Sequence, residues 1–309
     1  MSKNIMIRCL IIFFIAQAAL PCLAQKTDSI KYSNGYLYYH EYGKGEAIVL
    51  LTGGPGNDCS QLADMATKLS ANNRVILLEE RGTGLSIPDP LDSNTVNIQT
   101  TVSDLNLLLD HLGLKDVIVC GHSWGATIAF CFASAFPDRV KNLIVIAPSS
   151  MLMGRELRQT LQYNRISKWN ERENKRMEIL TRKMNSEDLT KDETKEYRYL
   201  ILSGFVANTA RLDSLMPNMD VPRNQKTQQL LFKDVAKSKI DLRTSLTAYK
   251  KPVYIIDGRQ DILSFADYEY KILFPSFELH WIQDCGHYPM FEQPAAFYNI
   301  LLEILARQR

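Results

Sequence analysis

Short apolar runs alternate with stretches of helical periodicity along most of the chain. The runs that predict strands lie at 36–39, 47–51, 74–78, 117–120, 143–146, 252–256 and 277–282. Between them, apolar residues recur at helical intervals, which predicts helices at 62–69, 102–112, 126–136, 264–272 and 294–306. Continuously apolar strands are buried on both faces. The alternation therefore predicts an α/β fold with a mostly parallel sheet and helices on both faces.

The alternation stops near Pro148 and resumes near Pro252. The stretch between them is rich in charged residues, yet Leu, Ile, Tyr and Trp recur in it at helical intervals, so it is too apolar to be disordered. We predict a helical cap at 149–248, inserted between two strands of a core formed by residues 25–148 and 249–309.

The first 24 residues have the pattern of a secretory signal peptide. Lys3 and Arg8 give a positive start, residues 10–20 are apolar except for one glutamine, and small residues precede Gln25. The apolar run is too short to span a bilayer, so we expect no stable membrane span. Cleavage near Ala24 would export the protein to the periplasm or the medium. An uncleaved anchor is the alternative that this pattern favours less.

Charge argues against a nucleic-acid partner. Removal of residues 1–24 reduces the 36 basic residues to 34, which equals the 34 acidic residues, and a neutral chain lacks the basic face that nucleic acid requires. Four cysteines would remain, and we expect free thiols at Cys120 and Cys131 because both lie on elements predicted to be buried. No metal-binding motif is present, so we expect neither a metal nor a cofactor. The oligomeric state stays open.

Residues Gly121-His122-Ser123-Trp124-Gly125 predict a nucleophile elbow. They follow an apolar strand and precede a helix, which is the context that a G-x-S-x-G turn needs. Only small residues fit two positions before and after the serine, and the tight turn lifts the Ser123 hydroxyl clear of the sheet. A serine hydroxyl is a weak nucleophile, so this prediction also requires a base and an acid that orients it.

His287 is the candidate base because it follows the final predicted strand and precedes the final helix. Around such an elbow the chain order is serine, acid, histidine. Three aspartates compete for the acid. We favour Asp261, which lies past the strand tip. Asp257 is interpreted as a turn residue beside a glycine, and Asp284 shares the loop of His287 and could hardly orient it.

An oxyanion hole needs two backbone N–H donors near the serine. One should come from Trp124, the residue after the nucleophile, and the other from the loop Thr52-Gly53-Gly54-Pro55-Gly56, which follows an earlier strand. Glycines let backbone amides approach a substrate without side chains in the way, and we assign the second donor to Gly54.

With these motifs in order, the chain resembles the α/β-hydrolases, and within them the proline iminopeptidase group of capped serine hydrolases. The group's H-G-G-P-G loop matches residues 52–56, with Thr52 in place of the histidine, and its D-x-R-G-x-G-x-S segment is similar to residues 79–86. Its G-x-S-W-G, G-x-x-D and G-H motifs match 121–125, 258–261 and 286–287. A serine rather than an aspartate at the elbow argues against the dehalogenase and epoxide hydrolase branches.

The resemblance implies a serine hydrolase that acts by acyl transfer on a small molecule or a short peptide, with an aminopeptidase slightly favoured over a carboxylesterase. Export is expected from the signal pattern of residues 1–24. A non-catalytic binding protein on the same fold is a further alternative. Aminopeptidases of the group hold the substrate's free amino terminus with cap glutamates. The candidates in this chain are Glu171, Glu173, Glu178, Glu187, Glu193 and Glu196. We favour Glu196, which precedes an aromatic and apolar run.

Overall fold

One eight-stranded sheet organises the computed structural model, which describes residues 25–149, 155–238, 241–274 and 276–308. Its strands are β1 (Lys26–Tyr32), β2 (Gly35–Tyr42), β3 (Glu46–Leu51), β4 (Asn73–Leu78), β5 (Val117–His122), β6 (Val140–Ile146), β7 (Val253–Gly258) and β8 (Phe277–Ile282). Their spatial order is β1-β2-β4-β3-β5-β6-β7-β8. Strand β2 is antiparallel to both β1 and β4, and every other pair is parallel. The prediction of a mostly parallel sheet is confirmed.

The sequence analysis does not predict strand β1, because β1 is an edge strand with few buried apolar residues. Ile30 is its only buried residue, and the remaining positions are exposed or half-buried. The central strands β3, β4, β5 and β7 are almost entirely buried, which is why their sequences are continuous apolar runs.

Twelve α-helices accompany the sheet in the described part of the chain. They are α1 (Ala63–Leu69), α2 (Ile98–His111), α3 (Trp124–Ala135), α4 (Arg155–Lys168), α5 (Glu171–Ser186), α6 (Lys191–Ser203), α7 (Leu212–Met219), α8 (Gln225–Ser238), α9 (Leu242–Ser245), α10 (Asp267–Leu273), α11 (Pro289–Glu292) and α12 (Pro294–Ala306). Helices α4 to α9 lie between β6 and β7, where the sequence predicts the cap.

The two faces of the sheet bury separate hydrophobic clusters. In β3, Val49 joins one cluster with residues of α2 and α3, whereas the neighbouring Ile48 joins the other with residues of α1 and α12. This alternation is what a strand covered by helices on both sides requires. The carboxyl ends of β3, β5 and β7 then meet at one edge, where the loops that carry the predicted site residues begin.

Part of the cap has a small core of its own. Trp169, Met177, Leu180 and Leu200 form a third buried cluster, and the Trp169 indole N–H donates to Ser203 Oγ at 2.9 Å. Helices α5 and α6 both begin with a capping box, in which a polar side chain and the glutamate three residues later satisfy each other's backbone N–H. The charged residues of this stretch therefore lie on ordered helices.

Some expectations fall outside the part of the chain that the structure describes. The predicted signal peptide at residues 1–24 is one of them. Within the described ranges, no helix has the length and apolarity that a membrane crossing needs. Cys59, Cys120, Cys131 and Cys285 are all free thiols, as expected at Cys120 and Cys131.

Candidate active site

Ser123 occupies a strained turn between β5 and α3. Its backbone has a φ of 52° and a ψ of −111°, a conformation that residues other than glycine rarely adopt. A Cβ on Gly121 would lie 2.3 Å from the carbonyl oxygen of Gly125, and one on Gly125 would lie 2.3 Å from that of Leu51. The close packing of the backbone around the turn explains both glycines, as the elbow motif predicts.

Ser123, His287 and Asp261 form a continuous hydrogen-bonded chain. His287 Nε2 lies 2.8 Å from Ser123 Oγ, and His287 Nδ1 lies 2.7 Å from Asp261 Oδ2. The side chains of His287 and Asp261 are only 4% and 0% exposed, so water hardly competes for these bonds. With Nδ1–H donating to the carboxylate, Nε2 is left as the acceptor for the serine proton. The structure thus brings together three residues that lie far apart in sequence.

Of the three aspartates, only Asp261 reaches His287. Its second carboxylate oxygen accepts the backbone N–H of Leu263 at 3.0 Å, which fixes its orientation. The interpretation of Asp257 as a turn residue is wrong, because it lies within β7 and is paired with Trp281 of β8. Asp284 is exposed, and its backbone has a φ of 53°.

The raised pKa of Asp257 also makes it unsuited to orient the histidine. Asp257 is fully buried, and burial raises its pKa well above the usual value, as do the nearby carboxylates of Asp261 and Asp267. Burial likewise raises the pKa of Asp267 to about 8. Both carboxyl groups therefore favour the protonated, neutral form at neutral pH. A neutral acid does not stabilise an imidazolium, so Asp257 is unsuited to orient His287.

The predicted oxyanion donors lie on either side of the serine. A Cβ on Gly53 would lie 3.2 Å from Ser123 Cβ, so the backbone of the loop at 52–56 passes close to the nucleophile. Gly54 has a φ of 73°, which suits glycine, and Trp124 is the first residue of α3, where backbone N–H groups lack helical acceptors. The donor roles of Gly54 and Trp124 stay predictions.

Glu80 holds the Trp124 side chain in place by a hydrogen bond. The indole N–H donates to Glu80 Oε2 at 3.3 Å, and burial raises the pKa of this carboxyl to about 7. The sequence offered one signal for it, since Glu80 lies in the segment at 79–86 that resembles a motif of the iminopeptidase group.

Glu292, which the sequence analysis missed, holds the histidine loop in place. Its carboxylate accepts the backbone N–H groups of Gly286 and Tyr288, which flank His287, at 3.0 and 3.1 Å. It also accepts the N–H of Ala207 in the cap at 2.7 Å. The histidine loop and the cap are therefore fixed to each other. No pattern in the sequence identifies this role, because the third donor, Ala207, belongs to the cap, far from Glu292 in the chain.

His122 supports His287 from within the elbow. Its Nε2 lies 2.9 Å from the carbonyl oxygen of His287, and that oxygen only accepts, so Nε2 carries the proton. Burial, reinforced by the charge of His287, lowers the pKa of His122 to about 3, so the ring is neutral at neutral pH. His122 therefore acts as a donor that positions the histidine loop.

A cavity of about 1300 Å³ opens above Ser123, between the sheet edge and the cap. The core contributes Ser123, His287 and the loop at 53–55, and the cap contributes residues of α4, α5, α6 and α8. The catalytic candidates thus face a large cavity formed by both the core and the cap.

The structure does not bring Glu196 into this cavity. Its carboxylate makes two bonds to the Arg176 guanidinium, at 2.9 and 2.7 Å, and its side chain is 42% exposed on the outside of α6. Arg176 holds the pKa of this carboxyl below its usual range. The carboxylates that line the cavity, among the described residues, are Glu171 and Glu178, both exposed, and Glu178 is paired with Arg182. Glu196 therefore does not lie where it could bind the ammonium group of a substrate in this cavity.

Within the described residues, His40, Cys59 and Glu79 are close enough together to be considered as metal ligands. His40 Nε2 already lies 2.7 Å from Glu79 Oε1, and burial raises the pKa of the Cys59 thiol, which disfavours the thiolate that metals bind. These residues are not among those lining the cavity above Ser123.

Comparisons with known proteins agree with this fold. Residues 46–294 match the family model described as the alpha/beta hydrolase fold. A proline iminopeptidase of Heyndrickxia coagulans is 33% identical over 110 residues, which cover 36% of this chain and 38% of that relative. A 2-hydroxy-6-oxononadienedioate/2-hydroxy-6-oxononatrienedioate hydrolase of Pseudomonas putida is 25% identical over 280 residues, 87% of this chain and 91% of the relative. The chain thus matches well under half the length of the iminopeptidase and most of the second relative.

Solved structures share the fold. An alpha/beta fold family hydrolase from Bacillus anthracis str. Sterne superposes with a TM-score of 0.73 at 19% identity, covering 90% of this chain and 99% of that one. The family model covers well over half of the chain, and the sheet order, the elbow and the order of the polar residues are consistent with it. We conclude that the chain belongs to the α/β-hydrolase family.

Proposed function

We propose that the protein is a serine hydrolase that cleaves small acyl esters by acyl transfer through Ser123, His287 and Asp261. The observation that carries the proposal is the bonded chain from Asp261 through His287 to Ser123 Oγ, at 2.7 and 2.8 Å, at the floor of the cavity. Its order and distances suit proton transfer from the serine to the histidine.

In the proposed mechanism, Ser123 Oγ attacks the substrate's carbonyl carbon while His287 Nε2 takes the hydroxyl proton. The backbone N–H groups of Gly54 and Trp124 would stabilise the oxyanion of the tetrahedral intermediate. When the intermediate collapses, His287 donates the proton to the leaving alcohol and an acyl-serine remains. Water, deprotonated by His287, then releases the acid and restores Ser123. Asp261 keeps the imidazole in the productive tautomer throughout.

An aminopeptidase activity is the second candidate, because relatives named proline iminopeptidase match this chain at 33% identity over 110 residues and at 31% over 129. The cavity argues against it. A bound ammonium group needs a carboxylate partner in a desolvated site, and the carboxylates that line the cavity in the described part of the chain are exposed. We therefore rank ester hydrolysis ahead of peptide hydrolysis.

A substrate panel tests this ranking. We expect short acyl esters to be hydrolysed with a kcat/KM at least about tenfold above that of proline arylamide, because no described residue that lines the cavity is a buried carboxylate partner for the proline ammonium. Mass spectrometry of quenched reactions should find the acyl group on the peptide that contains Ser123. N-acetylproline arylamide is the control for the amino group. Faster cleavage of free proline arylamide than of any ester, with the blocked substrate inert, would establish the aminopeptidase instead.

We also propose that the protein is exported, on the pattern of charged, apolar and small residues in 1–24. Protein recovered from outside the cytoplasm should begin at Gln25, as read by N-terminal sequencing or intact mass. Recovery of membrane-bound protein that retains Met1 would instead indicate an uncleaved anchor.

A further inference from the structure

Two arginines of the cap line the cavity above Ser123 without a carboxylate partner. Arg165 lies on α4, and Arg223 lies in the loop before α8. Neither forms a salt bridge within the described residues. By contrast, Arg176 and Arg182 of α5 are both paired with glutamates. The two unpaired guanidinium groups therefore need another explanation.

Arg165 is held next to the histidine of the site. Its guanidinium carbon lies 5.0 Å from the centroid of the Phe205 ring, and the Phe205 and His287 rings have centroids 4.8 Å apart. The distance from the Arg165 guanidinium carbon to the His287 ring centroid is therefore at most the sum of these two distances. Its Nε is buried and has no hydrogen-bond acceptor among the described residues. A Cβ on Gly204 would lie 2.5 Å from Arg165 Cγ, so the stem of the side chain is closely packed.

Arg223 reaches the other side of the reaction centre. Its Nε donates to Asn57 Oδ1 at 2.5 Å, and the Asn57 backbone N–H donates to the Gly54 carbonyl oxygen at 3.1 Å. Arg223 is therefore connected through one residue to the loop that supplies the predicted oxyanion donor. This side chain is more exposed than Arg165, and it also lines the cavity.

The two arginines line the same cavity, and Tyr197 and Tyr288 line it as well. Burial raises the pKa of the Tyr288 hydroxyl, so the phenol is neutral and cannot serve as a counterion. Asp220 also acts on Arg223, but Asp220 is ion-paired with Arg198, whose positive charge acts on Arg223 in the opposite direction.

An uncompensated cation that is partly buried, as Arg165 is, costs free energy, and an arginine cannot lower that cost by losing its proton. Burial lowers the pKa of both guanidinium groups from their usual value, yet a guanidinium keeps its charge in proteins. A planar guanidinium also matches the geometry of a carboxylate, to which it donates two parallel hydrogen bonds. The missing partner is therefore an anion of carboxylate shape, brought by the substrate.

We propose that Arg165 and Arg223 form an anion subsite, and that the substrate is an ester whose acyl end carries a carboxylate. This proposal rests on the proposed function of Ser123. The carboxylate would bind between the two arginines while the ester carbonyl lies at Ser123 Oγ. Water then cleaves the ester to a dicarboxylate and an alcohol, with no further reactant required. Arg165 and Arg223 are specificity-determining residues in this scheme and take no proton.

A matched pair of esters tests the subsite. Monoethyl glutarate and ethyl pentanoate have acyl chains of equal length and differ by a carboxylate in place of a methyl group. We expect the unsubstituted protein to have a kcat/KM for monoethyl glutarate about 10- to 100-fold above that for ethyl pentanoate, measured from the release of ethanol. Arg165→Met and Arg223→Gln should each lower this ratio about tenfold or more, chiefly through KM.

Arg172→Gln is the matched control, because Arg172 is an exposed cap arginine that does not line the cavity. It should leave the ratio unchanged. Arg165→Lys keeps a positive charge and should retain part of the preference, which separates loss of charge from loss of packing. A ratio near one in the unsubstituted protein, or a ratio that neither arginine substitution lowers, would overturn the subsite. If ethyl pentanoate is still hydrolysed at Ser123, the proposed function survives that result.

A binding measurement tests whether the anion subsite exists, even if no ester is hydrolysed. Glutarate titrated calorimetrically into Ser123→Ala should bind, whereas pentanamide should bind at least about tenfold more weakly, since it lacks the charge. The double variant Ser123→Ala, Arg165→Met should bind glutarate about tenfold more weakly, or weaker still, than Ser123→Ala alone. The double variant Ser123→Ala, Arg172→Gln should bind glutarate as well as Ser123→Ala does. Equal binding of glutarate and pentanamide would reject the anion subsite. Failure of all ester hydrolysis, together with arginine-dependent glutarate binding, would reject only the hydrolase mechanism.

Discussion

Replacement of Ser123 by alanine is expected to lower kcat for ester hydrolysis on the order of 10⁴-fold or more. The reason is that Ser123 Oγ is the only oxygen placed 2.8 Å from His287 Nε2 in the described structure, so its loss removes both the nucleophile and the group that the histidine activates. Alanine has the same Cβ as serine, so the substitution adds no new steric strain at a φ of 52°. The fold should survive, and KM should change much less than kcat.

Labelling with a fluorophosphonate probe gives an independent measurement. The probe should modify Ser123 in the unsubstituted protein and should leave Ser123→Ala unmodified, because only an activated serine attacks it readily. Ser103→Ala is the matched control, since Ser103 is an exposed serine on α2 that donates only to the backbone of its own helix. It should keep full labelling and full turnover. Normal turnover by Ser123→Ala would eliminate the mechanism.

Replacement of Asp261 by asparagine is expected to lower kcat about 10⁴-fold. The amide is nearly isosteric with the carboxylate, so the bond to the Leu263 N–H at 3.0 Å can be kept. An amide also presents an N–H₂ group, which can turn toward His287 Nδ1 and favour the tautomer with its proton on Nε2. A histidine in that tautomer cannot accept the serine proton. The check is kcat from steady-state ester hydrolysis, with unchanged thermal unfolding as the control for folding.

Asp257→Asn provides the matched comparison, because Asp257 lies in β7, the strand that directly precedes the Asp261 loop. Burial and two nearby carboxylates raise the pKa of Asp257, so its carboxyl group is already neutral, and an amide replaces it with little change in charge. We expect kcat to fall by less than about tenfold. A large loss in Asp257→Asn combined with a small loss in Asp261→Asn would show that the acid is assigned to the wrong residue.

The site could be assembled from the sequence because its parts have local signatures. The elbow needs Gly121 and Gly125 for steric reasons that operate within a few residues. His287 and Asp261 each follow a recognisable strand, and parallel strands bring their carboxyl ends to one edge. Residues with no local signature were missed. Glu292 accepts N–H groups from two separate segments, and β1 pairs along an edge where only Ile30 is buried.

Which charged side chains line the cavity depends on the tertiary structure. Helical periodicity identifies a charged cap, but it does not say which charges face inward. Glu196 and Arg165 both lie on cap helices, yet Glu196 bonds to Arg176 on the outside while Arg165 packs against Phe205 beside the site. Only the packing of these helices on each other and on the sheet decides this.

The sequence by itself determined the α/β-hydrolase fold and the candidate residues Ser123, Asp261 and His287. It could do so because buried strands, tight turns and strand-end loops constrain the residues within them. Only the tertiary structure decided that Asp257 is buried in β7, that Glu292 fastens the histidine loop to the cap, and that Arg165 and Arg223 line the cavity whereas Glu196 does not. The physical reason is that charge pairing and desolvation depend on distances between segments that are far apart in the chain.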